Sequence, residues 1–180
     1  MNYIFLADGF EEIEGLMVVD LLRRADIDIT MISISGKRQV TGAYGIPVIA
    51  DAVFKEVDFN NKEMLILPGG MPGTTNLMEH EELIKLLTDH NRAGKMIGAI
   101  CAAPSVLGMN GILKGKHATC FPGFEEKLLG AVYVNEKVVQ DKNIITSKGL
   151  GTALEFAAAI IEYYKGKEAA EKIKASVQYC

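Results

Sequence analysis

The fold class this sequence predicts is α/β: a three-layer sandwich with a mostly parallel sheet and helices on both faces. Two observations predict it. Short β-rich apolar runs alternate with helix-period segments along the chain, the pattern of a sheet whose crossovers are helices. The chain has 180 residues and no repeat, low-complexity tract or linker, so residues 1–180 read as a single domain. A domain of that size buries roughly 70% of its unfolded surface around one core.

The strands expected lie near 2–7, 28–33, 64–67, 96–100 and 143–146. Between the first two, Ile13, Leu16, Met17 and Leu21 recur at three- and four-residue spacing, which predicts an amphipathic helix over 11–24 and a βαβ unit. Residues 37–56 carry Gly42, Gly45 and Pro47 among short apolar stretches and suit a hairpin or edge strands rather than a helix. A second hairpin is expected over 131–145, and a surface helix over 80–92. Thr152 and Glu155 have capping-box spacing ahead of Ala153, Ala157, Ile160, Ile161 and Tyr164, so a helix starts there, and Gly166 ends it.

Composition excludes several functions. A net charge of -4 with scattered Lys and Arg gives no nucleic-acid footprint. The first apolar run has no basic segment before it and is too short for a signal peptide or a membrane span, so a cytoplasmic protein without membrane contact is expected. Cys101, Cys120 and Cys180 are widely spaced and odd in number, which argues against a disulfide framework and against a metal site.

Chemistry concentrates at Cys101. Lys95–Ile100 reads as a buried strand, Cys101 ends it, and Pro104 suits the first turn of a following helix. The carboxyl ends of parallel strands are where open α/β sheets bind ligands, and a helix N-terminus favours a thiolate. On this reading Cys101 is the most acidic of the three thiols; a buried inert cysteine fits the local sequence equally well. Pro68-Gly69-Gly70 after another apolar run is a plain turn or an oxyanion hole. Of the glutamates in Asp8-Gly9-Phe10-Glu11-Glu12-Ile13-Glu14, the first two read as complements to a helix dipole. Glu14, one turn further in, is either a third such charge or a carboxyl aimed at the pocket, where desolvation would raise its pKa.

Four segments together resemble the ThiJ/PfpI superfamily, in the branch of the Parkinsonism-associated protein DJ-one. They are Asp8 to Glu14, Leu67-Pro68-Gly69-Gly70, Ala99-Ile100-Cys101-Ala102-Ala103-Pro104 and Thr146 to Thr152. The resemblance covers essentially the whole chain and implies a flavodoxin-like, class I glutamine amidotransferase-like fold in a homodimer. It implies that Cys101 is the nucleophile and Glu14 the acid bonded to it. It also implies that Gly69, Gly70 and Ala102 face the sulfur or a substrate oxygen, and that no cofactor is needed. The activities implied are hydration of glyoxal or methylglyoxal and repair of early glycation adducts, with a redox sensor or stress chaperone as the alternative.

Two positions depart from the family pattern. Ala102 stands where protease-like relatives place a histidine, which disfavours peptidase chemistry. Phe121, between Cys120 and Pro122, stands where the branch places a histidine before a proline. His80, His90 and His117 are expected to be solvent-exposed and offer no replacement. A thiamine-pathway role finds no Gly-x-x-x-x-Gly-Lys phosphate loop.

Overall fold

The computed structural model describes residues 1–179. The apolar runs become β1 (Asn2–Leu6), β2 (Ile29–Ser33), β6 (Met64–Leu67), β7 (Met96–Ile100) and β11 (Ile144–Ser147), all but fully buried. The shorter pieces are β3 (Gln39–Thr41), β4 (Pro47–Ile49), β5 (Ala52–Val53), β8 (His117–Ala118), β9 (Val132–Tyr133) and β10 (Val138–Asp141). The helices are α1 (Glu12–Arg24), α2 (Gly73–Glu79), α3 (Glu81–Arg92), α4 (Pro104–Met109), α5 (Ala153–Lys165) and α6 (Lys167–Ser176).

Seven strands form one sheet in the order β10-β11-β7-β6-β1-β2-β5. Every pairing in it is parallel except the β10–β11 hairpin. Side chains alternate between faces along each strand. Ile4, Leu6 and Ile66 therefore pack with Val18 and Leu22 of α1 and with Phe156 and Ile160 of α5. Phe5, Leu65, Leu67 and Ile97 pack on the other face with Leu77, Leu83, Leu87 and Val106 of α2, α3 and α4. Helices on both faces explain why these strands are apolar throughout rather than alternating. The parallel run β1, β6, β7, β11 brings four carboxyl ends to one edge of the sheet. Their following loops begin at Ala7, Pro68, Cys101 and Lys148, and there the four motif segments meet.

Several expectations change. The second hairpin runs 138–147 rather than 131–145, because β9 pairs instead with β8. The Thr152–Glu155 capping box does not form. Thr152 Oγ1 is engaged by Ser147 Oγ (2.7 Å) and Gly149 N (3.1 Å), while Glu155 Oε1 accepts from Lys137 Nζ (2.6 Å) and Tyr179 OH (2.6 Å). Gly166 does end α5, with φ 83°, and α6 follows it. His90 is not exposed but fully buried, its Nε2 bonded to Met96 O (3.1 Å). Burial lowers its pKa from 6.5 to about 4. His80 is half-buried, with Nδ1 accepting from Leu83 N (3.1 Å) at the start of α3, and His117 is exposed beside Asp141. Cys180 lies outside the described residues. No helix among them is long and apolar enough to cross a membrane.

Candidate active site

Cys101 occupies a tight elbow between β7 and α4. Its φ is +66°, a left-handed value that costs a residue with a Cβ on the order of 1 kcal/mol or more. Hydrogen bonds on both sides hold it there: Cys101 N donates to Ser147 O (2.9 Å) and Phe121 N donates to Cys101 O (2.8 Å). The elbow turns a partly exposed thiol into a cavity of about 420 Å³ at the carboxyl edge of the sheet, lined in part by Glu11, Glu14, Tyr44, Gly70, Ala102 and Phe121.

Glu14 reaches this cavity from the buried face of α1, with 1% of its surface exposed. The helix start that aims it is fixed by Glu11, whose Oε2 accepts from Glu14 N (2.7 Å). Glu14 Oε2 accepts from Gly69 N (3.0 Å), the backbone N–H of Leu150 also donates to the carboxyl, and the side chain is hydrogen-bonded to the Cys101 thiol. Burial raises its pKa from 4.5 to about 7, against those hydrogen bonds, which lower it.

Only glycine fits at 69. A Cβ there would lie 2.5 Å from Cys101 Cβ, 3.0 Å from Sγ and 2.7 Å from Glu14 Oε2. Gly70, at φ 90°, would collide with Glu11 N if it carried a side chain. The two glycines do different work. The N–H of Gly70 and that of Ala102 face the sulfur, whereas the Gly69 N–H is engaged by Glu14. Gly69 is therefore not an oxyanion donor, as the sequence reading had it, but the residue that holds the carboxyl in place.

The thiol is not acidic in this state. Burial pushes its pKa up to about 12, the Glu14 carboxylate adds to the rise, and the Gly70 and Ala102 N–H groups oppose it. Cys120, fully buried on the other side of the sheet, is pushed up to about 11. The expectation that the strand end and helix start lower the Cys101 pKa is thus corrected: it is raised. Its neighbouring carboxyl is itself a charge once ionised, and α4, at six residues, is a short source of helix dipole. At neutral pH the thiol keeps its proton, with a partly ionised carboxyl alongside.

Glu11 and Glu12 are more than dipole complements. Glu11 is the N-cap of α1, and Glu12 is buried with Oε1 accepting from Tyr44 N (2.9 Å), tying the β3–β4 hairpin over the cavity. No local pattern signals this contact, because Glu12 and its partner lie 32 residues apart. Leu150 and Tyr44 were likewise missed as cavity residues.

Residues 2–163 match the DJ-1/PfpI family model. The chain belongs to the DJ-1/PfpI family. It is 37% identical to protein dj-1beta of Drosophila melanogaster over 172 residues, covering 94% of this chain and 92% of that protein. It is 37% identical over 164 residues to protein DJ-1 homolog B of Arabidopsis thaliana, covering 91% of this chain but only 37% of that longer protein. The glutathione-independent glyoxalase DJR-1.2 of Caenorhabditis elegans is 36% identical over 160 residues, with 88% and 84% covered. Among solved structures, a DJ-1 superfamily protein of Salmonella typhimurium superposes with a TM-score of 0.95 at 32% identity, covering 99% of this chain and 98% of that one. Oxidised DJ-1 of Toxoplasma gondii does so with 0.95 at 33% identity and the same coverage.

Proposed function

We propose that this protein is a glutathione-independent glyoxalase acting on 2-oxoaldehydes such as methylglyoxal and glyoxal, free or as early glycation adducts. The observation that carries the proposal is the hydrogen-bonded Cys101–Glu14 pair, with the carboxyl poised at about 7, opening into a cavity with N–H donors. A general base is most effective when its pKa lies near the working pH. The name of the Caenorhabditis elegans relative supports the same chemistry.

In the first step, ionised Glu14 takes the thiol proton as Sγ bonds to the aldehyde carbon. No free thiolate is required, so a high thiol pKa is compatible with attack. The aldehyde oxygen gains charge and is met by the N–H groups of Gly70 and Ala102. Glu14 returns its proton to that oxygen, giving a hemithioacetal. The carboxylate then removes the proton on the former aldehyde carbon and delivers it to the adjacent carbonyl carbon by way of an enediol. The first carbon is oxidised to a thioester and the second reduced to an alcohol. Water cleaves the thioester, releasing the hydroxy acid and restoring the thiol. One water is consumed, and no external oxidant, reductant or cofactor enters.

A homodimer built through the exposed face of α1 accompanies this proposal. Ile13 on that helix is 42% exposed, and Asp20 and Arg24 pair at 2.7 Å. Arg23, by contrast, is engaged within its own chain by Asp51 (2.7 Å) and is not free to bridge to a partner.

A redox role is the second reading. A sulfinate at Cys101 would accept hydrogen bonds from protonated Glu14 and from the Gly70 and Ala102 N–H groups, and the Toxoplasma gondii relative is known in an oxidised form. Lactate production from methylglyoxal without added glutathione separates the two. Turnover by the wild type that vanishes in Cys101→Ala is expected. Absence of turnover in both overturns the glyoxalase reading in favour of the sensor.

A further inference from the structure

The thiol cavity has an apolar neighbour. A second, shallow cavity of about 390 Å³, wide open to solvent, is lined mainly by Phe121, Pro122, Lys148, Gly149, Leu150 and Gly151. Phe121 and Leu150 border both cavities, and each is half exposed, at 47% and 49%. The two cavities are therefore neighbours that share a pair of apolar side chains. Gly149 marks the junction: a Cβ there would lie 3.2 Å from the Phe121 ring and 3.7 Å from Glu14 Oε1. Anything seated against Gly149 and Leu150 is within one residue of the proton shuttle, because the Leu150 N–H is bonded to the Glu14 carboxyl.

The walls specify what fits. An aromatic ring, a proline ring and a leucine side chain, with glycine backbone between them, form a surface for a flat apolar group. Two ammonium groups stand nearby with different availability. Lys137 Nζ is neutralised by Glu155 (2.6 Å), whereas Lys148 Nζ donates to the neutral Asn135 Oδ1 (2.5 Å) and has no carboxylate within ion-pair distance among the described residues. A positive charge is thus left at the edge of an apolar pocket. Methylglyoxal, with a single methyl substituent, would leave this space unused.

We propose that the second cavity is a substituent subsite of the Cys101 site: it receives an aryl group carried by the reacting 2-oxoaldehyde and favours one bearing a carboxylate, through Lys148. The proposal rests on the glyoxalase reading for its chemistry. Phenylglyoxal plus one water gives mandelate by the same steps, the aldehyde carbon being oxidised and the ketone carbon reduced.

The test compares kcat/KM for phenylglyoxal, 4-carboxyphenylglyoxal and methylglyoxal in wild type, Gly151→Leu and Lys148→Met. Gly151 lines the second cavity but not the thiol cavity, and a Cβ there meets nothing within 4 Å, so a leucine is accommodated without backbone collision and stands at the mouth of the second cavity. Obstructing its mouth should lower the phenylglyoxal-to-methylglyoxal ratio about 10-fold, the scale of losing burial of one aromatic side group. Lys148→Met should lower the preference for the carboxylated substrate about 3-fold, as an exposed ion pair would. An unchanged aryl-to-methyl ratio in Gly151→Leu overturns the subsite. Independently of turnover, mandelate titrated into wild-type protein should shift the backbone amide resonances of Gly149 and Gly151. If the wild type processes no aldehyde, the glyoxalase reading falls and this titration alone decides: shifts at both glycines keep the subsite, and their absence overturns it.

Discussion

Replacing Glu14 by Gln should make the protein's stability less sensitive to alkali. In the fold the carboxyl keeps its proton up to about 7, against 4.5 when exposed, because burial disfavours the charge. A raised pKa means the native state binds the proton more tightly. The stability it contributes is therefore fully present below 4.5 and is lost as pH rises through 7. With those two values, ionising Glu14 costs about 2.5 kcal/mol between roughly pH 5 and pH 8.5. Gln removes the titration, while the Gly69 N–H keeps an oxygen acceptor. The amide will face the Leu150 N–H poorly, but that loss is the same at both pH values and cancels in the difference. Urea unfolding of wild type and Glu14→Gln at the two pH values measures it. Glu14→Gln should gain about 2.5 kcal/mol on wild type between them. Parallel pH dependence in the two proteins would refute the claim that Glu14 is buried and raised.

Other consequences are as specific. His90 titrates with the opposite sign: its pKa is lowered from 6.5 to about 4, so its stabilising effect is present above 6.5 and lost as pH falls through 4. That loss is about 3 kcal/mol, and His90→Gln, which keeps a donor for Met96 O, should show it much reduced in acid unfolding. Gly69→Ala should cost about 1–3 kcal/mol by overpacking against Cys101 and Glu14, and should displace the pair enough to cut turnover about 100-fold. Wild-type activity in that variant would contradict the close approach. Light scattering at micromolar concentration should return a mass of twice the 19.6 kDa chain; the monomer mass would remove the dimer.

What could be read from the sequence was what local pattern determines. The apolar runs located β1, β2, β6, β7 and β11, since a strand buried on both faces has few polar positions to obscure it, whereas the two-residue β5, parallel to β2 at the sheet edge, had no run of its own within 37–56. The Cys101–Pro104 junction located the elbow, and Gly69-Gly70 the close approach. Polar residues were misjudged wherever a distant partner decided their state. His90 looked like a surface residue until Met96 O claimed it, and Thr152 looked like a cap until Ser147 and Gly149 did. The thiol's acidity was misjudged for a related reason. A strand end and a helix start argue for a lower pKa, but the depth of burial and the charge of Glu14 outweigh them, and neither is a property of residues adjacent in sequence.

The central claim is that Glu14 is the base that deprotonates Cys101, and the pH dependence of kcat/KM for methylglyoxal tests it most directly. Wild-type kcat/KM should rise tenfold per pH unit below about 7 and level off above it, following ionisation of Glu14. In Glu14→Gln the limb near 7 should disappear and the plateau should fall by about 10²–10⁴-fold. A limb that persists in Glu14→Gln, or a wild-type profile flat through 7, would contradict the account.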